Sequence, residues 1–104
     1  MEQYKVIIES TAENDLIEML DYIGLTLREP RSAERIYYSI KEQVLSLNEL
    51  PFRYPLIMEE PYRTAGVRRI LVENYSAFYI VNDKDKEVHV FRILYNRREW
   101  KNLL

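Results

Sequence analysis

The sequence predicts an α+β fold: a two-helix hairpin packed on one face of a mainly antiparallel four-stranded sheet. Three observations carry this. In the last third of the chain, residues 67–73, 76–81 and 87–95 are apolar and β-branched runs separated by short polar breaks at Asn74 and at residues 82–86, the pattern of hairpin-connected strands. Ahead of them, two stretches carry apolar residues at helical spacing. Each helix and strand has one clear apolar stripe or face, and all are buried if the helical hairpin lies across the sheet.

Taken in order, residues 4–9 (YKVIIE) are short, β-branched and followed by Ser and Thr, so they read as a first strand. Such a strand must join the sheet, because alone it cannot satisfy its backbone groups. Ser10 stands three residues before Glu13, the spacing of a capping box, with Thr11 as the competing cap. The first helix starts there, with Leu16, Leu20, Ile23 and Leu27 as its stripe, Ile17 and Met19 widening it, and Glu13, Asp15, Glu18 and Asp21 outward. Gly24 lowers its helicity slightly, with no reason visible in the sequence. Pro30 separates the two helices and can occupy the first turn of the second. That helix runs to about Asn48 on Ala33, Ile36, Tyr37, Ile40, Val44 and Leu47.

Residues 51–66 hold three prolines and no sustained period, and read as a connection tied down by Phe52, Tyr54 and Ile57. With helices on one face only, the opposite face of the sheet is expected to stay partly open and concave. Alternation in the last strand places Val88, Val90, Arg92 and Leu94 on one face and His89, Phe91, Ile93 and Tyr95 on the other. On the first strand of the meander, Arg68 shares a face with Ile70 and Val72, and Arg69 shares the other with Leu71. One arginine must therefore point toward the helices and the other away.

At 104 residues the chain reads as one domain spanning residues 1–104, with 47% apolar and 31% charged residues. No apolar run is long enough to span a bilayer, and no secretory signal is visible, so a cytoplasmic protein is expected. The absence of cysteine excludes disulfides, thiolate nucleophiles and Cys-based zinc sites. The net charge of −2 hides a division, since residues 1–60 balance to −6 and residues 61–104 to +4. A basic segment rich in Arg and Tyr suits a polyanion or an acidic, amphipathic protein segment, whose carboxylates would meet Arg68, Arg69, Arg92 or Arg97.

The chemistry open to these residues is narrow. Arginine forks bind phosphate oxygens in pairs, and metal-free cleavage of a phosphodiester needs in addition a proton acceptor and donor. Arg69 and Arg98 are the candidate phosphate ligands, with Tyr95 or Tyr75 for proton transfer, although an ordinary phenol is a poor base at neutral pH. His89, in mid-strand beside Phe91, reads as structural. There is no Gly-rich phosphate loop, no nucleophile elbow, no His-Glu-x-x-His and no calcium loop, so no cofactor or metal is expected.

Across nearly the whole chain the sequence resembles the RelE/ParE superfamily of toxins from type II toxin–antitoxin modules. The resemblance is carried by TAENDLIEMLDYI, AERIYYSIKEQVLSL, ELPFRYP, VRRILVENYSAFYIV and, most specifically, VFRILYNRRE. It implies a growth-inhibitory toxin neutralised by a cognate antitoxin that wraps it. Ribonuclease members cut messenger RNA on the ribosome with basic sheet residues and a tyrosine or histidine, whereas ParE-type members inhibit DNA gyrase. Arg69 and Arg98 match the positions of two ribonuclease arginines. Ser76, however, stands where that branch carries a further arginine, and Leu104 where it carries a terminal tyrosine. The resemblance is therefore read toward the ParE side, with Arg97, Arg98 and Trp100 as contacts to a topoisomerase. The alternatives are a RelE-like metal-independent mRNA interferase and a non-catalytic binding module.

Overall fold

The computed structural model describes residues 3–104. Strand β1 (Lys5–Ile8) leads into helix α1 (Ser10–Asp21), a π-helical turn (Tyr22–Thr26) and helix α2 (Pro30–Leu45). After an irregular connection come β2 (Arg68–Val72), β3 (Tyr75–Asn82) and β4 (Glu87–Tyr95). The sheet order is β1-β4-β3-β2, antiparallel throughout except for the parallel pair β1–β4. This is the predicted α+β architecture, with the N-terminal strand completing the sheet beside the last one.

The helices cover one face. Ala12, Leu16, Met19 and Ile23 from the first helical segment and Ala33, Ile40, Val44 and Leu47 from the second meet Ile70, Val72, Ala77, Tyr79, Val88, Val90 and Ile93 in one buried cluster. Each of the Val, Leu, Ile and Met side chains among them contributes roughly 1.5–3 kcal/mol relative to exposure, and the alanines less. Leu27 and Ile17, expected in this stripe, are instead exposed. The π turn has more residues per turn than an α-helix, so it carries Leu27 out of line with Leu16. Arg28 at φ 57° then reverses the chain, and the Glu29 amide donates to the Ile23 carbonyl at 2.9 Å. Gly24 sits at this reversal, where a Cβ would lie 3.7 Å from the Ala33 Cβ. That is an ordinary contact, so sterics do not require glycine there.

Three further expectations are corrected. The capping box does not form: Thr11 Oγ1 donates to the Phe91 carbonyl at 2.6 Å, and Glu13 pairs with Lys41 at 3.1 Å. These side chains join the helix to the sheet edge and to the second helix instead of closing the helix start. Strict alternation in β4 also fails. The register of β3 against β4 slips between Phe78, opposite Arg92, and Tyr79, opposite Val90, leaving Phe91 as the extra residue of a bulge. Val88, Val90, Ile93 and Tyr95 therefore share the helix side, and Phe91, Arg92 and Leu94 turn to the other.

That other face is not open. Ile57, Val67, Phe78 and Leu94 form a second buried cluster, backed by Tyr62, Ile80, Phe91, Trp100, Leu103 and Leu104. The connection is anchored on the β2 edge by the Ile57 amide, which donates to the Val67 carbonyl at 2.9 Å. The chain end is anchored by Tyr62, whose hydroxyl donates to the Lys101 carbonyl at 2.5 Å, and by the Lys101–Glu59 pair at 2.9 Å. Two segments without helical or strand periodicity thus supply the missing layer.

Candidate functional site

The end of the β3–β4 hairpin gathers three of the candidate site residues. Tyr75 and Tyr95 are direct cross-strand partners with ring centroids 5.4 Å apart. Beyond them the Asn96 amide donates to the Asn74 carbonyl at 2.8 Å and the Arg98 amide to the Tyr95 carbonyl at 3.0 Å, which turns the chain back over the strand end. Tyr75, Tyr95 and Arg98 line a groove of 820 Å³ between the sheet and the helical hairpin. Met19, Tyr22, Ile23, Leu27 and Ile36 form its other wall, and Asp15, Glu18 and Glu29 also line it. Burial, reinforced by the neighbouring Tyr95 and Tyr22 phenols, pushes the Tyr75 hydroxyl above its ordinary value near 10. A phenol in that setting holds its proton at neutral pH and donates hydrogen bonds.

Arg69 is elsewhere. It projects from the opposite face of β2, where its Nε donates to Ser76 Oγ at 2.8 Å. Ser76, fully buried, passes its own proton toward Asn96 Oδ1. The Arg69 guanidinium lies 5.8 Å from the ring centroids of both Phe78 and Trp100, and Trp100 itself packs on Phe78 and Tyr62. Of the four residues assembled on paper for phosphodiester cleavage, the fold brings together Tyr75, Tyr95 and Arg98 and leaves Arg69 across the sheet.

The remaining arginines divide by occupation. Arg68 points to the helix side, as alternation requires, and donates to the carbonyls of Tyr54 at 2.6 Å and Phe52 at 3.3 Å. Arg92 donates through Nε and Nη2 to Asp15 and through Nη1 to the Leu103 carbonyl at 2.7 Å. Arg97 and Arg98 are exposed. His89 lies between Glu9, at 3.3 Å, and Glu87, at 3.0 Å, away from the groove. Among the described residues no group of three His, Asp or Glu is placed to hold a metal ion, and no helix is long and apolar enough to cross a membrane.

Sequence reasoning missed Asp15 and the Ser76–Asn96 pair. Asp15 was indistinguishable from its outward-facing acidic neighbours, because its partner Arg92 reaches it only around the part of the β4 edge that β1 leaves uncovered. Ser76 carried one signal, a small polar residue in an otherwise apolar strand.

Over residues 6–100 the sequence matches the family described as the ParE toxin of the type II toxin–antitoxin system parDE. Among solved structures, it is similar to the chromosomal ParDE toxin–antitoxin system from P. aeruginosa, at 26% identity over 91% of this chain and 98% of that one, with a TM-score of 0.73. The toxin–antitoxin complex RelBE2 from Mycobacterium tuberculosis shares the fold, at 20% identity over 89% and 98% of the two chains and a TM-score of 0.68. So does the archaeal RelE–RelB complex from Pyrococcus horikoshii OT3, at 19% identity over 92% and 98% and a TM-score of 0.60. No curated protein matches this sequence.

Proposed function

Because this chain belongs to the ParE toxin family of type II toxin–antitoxin systems, we propose that it arrests growth by binding a protein target, a topoisomerase such as DNA gyrase, and not by cutting RNA. The observation that carries this reading is the separation of Arg69 from Tyr75, Tyr95 and Arg98 by the sheet itself. A nuclease needs its phosphate ligands and proton-transfer groups around one scissile phosphate, within hydrogen-bond reach. Two further features point the same way. Glu18 and Glu29 line the tyrosine groove and disfavour a polyanion, and the raised Tyr75 hydroxyl is ionised even less at neutral pH than a free phenol, so it is less available to accept a proton.

Binding requires a different set of groups, and the turn after β4 has them. Arg97 and Arg98 are exposed side by side, and the half-buried Trp100 follows after Glu99. Arg and Trp are the side chains most often found as anchors of protein interfaces, where one truncation costs about 2 kcal/mol or more. An antitoxin is the expected neutralising partner, as the similar structures are toxin–antitoxin complexes.

The test is induced expression without antitoxin. Arg98→Ala should weaken growth arrest and Tyr95→Phe should leave it intact, with messenger RNA whole and DNA supercoiling altered in the arrested cells. The mRNA interferase reading draws on the shared groove of Tyr75, Tyr95 and Arg98. Abolition of arrest by Tyr95→Phe in a folded protein, with degraded messenger RNA, would establish it in place of binding. Absence of arrest with the native protein would leave the non-catalytic module.

A further inference from the structure

Half of the arginines in this chain are occupied, and most of the others lie at one end of the fold. Arg35 pairs with Glu73, Arg53 donates to the carbonyls of Glu49 and Leu50, and Arg68, Arg69 and Arg92 are held as described above. Arg28, Arg31, Arg97 and Arg98 are exposed and make no side-chain hydrogen bond, ion pair or ring contact among the described residues. Arg63, in the connection before β2, is the only other such arginine. The first four are far apart in sequence but not in space. Leu27, Glu29 and Ser32, immediate neighbours of Arg28 and Arg31, line the same groove as Tyr95 and Arg98. Arg31 stands one helical turn before Arg35, whose 2.6 Å pair with Glu73 joins α2 to the turn between β2 and β3. The Asn96 amide, bonded at 2.8 Å to the Asn74 carbonyl, ties that turn to the one carrying Arg97 and Arg98.

We propose that Arg28 and Arg31 act with Arg97 and Arg98 as one contact surface, which binds a cluster of carboxylates on the protein target. This rests on the reading of the chain as a toxin that acts by binding, and adds to it a second set of anchors from the helical hairpin and the chemistry of the patch they recognise. An arginine fork meets a carboxylate through two parallel hydrogen bonds, and unpaired forks gathered on one surface need such groups opposite them. Nucleic acid is the other source of closely spaced anions. Glu29 and Glu99, however, stand exposed among the arginines. They would face an unbroken row of phosphates, whereas a protein surface can set a lysine or a backbone amide against each. Discrete carboxylates on a folded partner fit this mixture better.

Folding gives no reason for cations at the two hairpin positions. Arg28 takes φ 57°, a left-handed backbone that is costly for any residue with a Cβ. Arg31 occupies the first turn of α2, where the helix dipole opposes positive charge, and no acidic side chain in that turn offsets it. Neither side chain gains a contact in return. Local rules broken without a compensating contact are expected where a surface is kept for binding. In the sequence these two arginines only flank a proline between helices, because nothing local places them beside the end of β4.

The experiment measures binding of the purified toxin to immobilised DNA gyrase and, separately, to a DNA duplex, beside growth arrest on induced expression. Arg28→Ala combined with Arg31→Ala should weaken binding to gyrase by about tenfold or more, as truncation of interface anchors does. It should also flatten the fall of the association rate with salt. Arg28→Gly, which suits the left-handed backbone, should weaken binding and arrest while melting no lower than native, a combination that a structural role does not give. Arg63→Ala controls for net charge. Binding of the double variant within about threefold of native overturns the proposal, as does equally tight binding of native toxin to the DNA duplex alone. If native toxin arrests growth without binding gyrase, the choice of target fails, and the double variant decides the rest. Arrest by it at native inducer levels overturns the arginine surface, and loss of arrest supports it. Native toxin that neither arrests growth nor binds gyrase overturns both the toxin reading and the proposal.

Discussion

Asp15, in the second turn of α1, accepts hydrogen bonds from Nε and Nη2 of Arg92 at 2.9 and 3.0 Å, and its Oδ2 also accepts from the Ile93 amide at 2.9 Å. The carboxylate stands where a neighbouring strand would be, because β1 pairs with β4 only through residues 87–90 and leaves the rest of that edge uncovered. One side chain therefore closes a sheet edge and ties the first helix to the bulge. Asp15→Ala should cost about 2–4 kcal/mol in urea unfolding, below the loss from a fully buried pair since Arg92 remains 24% exposed. Asp15→Ala combined with Arg92→Met should cost less than the sum of the single changes, because no uncompensated charge is left. Strict additivity of the two would show that the pair is not coupled.

Tyr79 supplies a pH dependence whose sign follows from burial. Its hydroxyl donates to the Pro51 carbonyl at 2.7 Å, and burial pushes it up to about 12. The unfolded chain gives up the same proton near 10, so the unfolded state binds fewer protons between those values. Stability from this group is complete below pH 10 and is lost as pH rises toward 12, by an amount on the order of 2 kcal/mol. Tyr79→Phe should remove that alkaline slope and cost about 1 kcal/mol at neutral pH through the lost hydrogen bond. Equal slopes for the two proteins above pH 10 would contradict the assignment.

The second layer of the sheet can be followed through one residue. Trp100 is the only tryptophan in the chain and packs on Phe78 and Tyr62 at centroid distances of 5.4 and 5.9 Å. Trp100→Ala should cost about 2 kcal/mol, less than a fully buried aromatic would, because the ring is only half-buried. In the native protein its fluorescence should change in the same unfolding transition as the far-ultraviolet signal. An earlier fluorescence transition would mean that the chain end detaches before the sheet unfolds.

Much of this architecture was legible because it rests on period. The hairpin helices declared themselves through Leu16, Ile23, Ile40 and Val44, and the meander through its runs of Val, Ile and Tyr, whose spacing local geometry fixes. What escaped depends on single residues or on contacts far apart in the chain. One inserted residue at Phe91 reverses the facing of everything after it, and alternation has no term for an insertion. The covering of the far face by Ile57, Trp100, Leu103 and Leu104 comes from segments with no period at all. The candidate site was legible as a set of residue types and not as a place, since facing decides that Tyr95 joins Tyr75 while Arg69 does not.

Arg69 gives the sharpest test of what this toxin does. If growth arrest came from phosphodiester cleavage with Arg69 on the phosphate, removing its charge would reduce the rate by roughly 10²-fold or more, as loss of one transition-state donor does. In the structure, however, Arg69 is held by Ser76 and stacked against Phe78 and Trp100, on the side of the sheet away from the tyrosines and Arg98. Arg69→Gln keeps a donor near Ser76 and removes the charge. Growth arrest by this variant, measured as the inducer level that halves colony number, should stay within about threefold of native, as for a residue outside the energetic centre of an interface. Arg98→Ala, on the exposed turn, should raise that level well beyond it. The order of the two effects is what the two faces of the sheet dictate. A folded Arg69→Gln variant that no longer arrests growth, with messenger RNA intact in its cells and cleaved in those expressing the native toxin, would place Arg69 at the centre of a nuclease site after all.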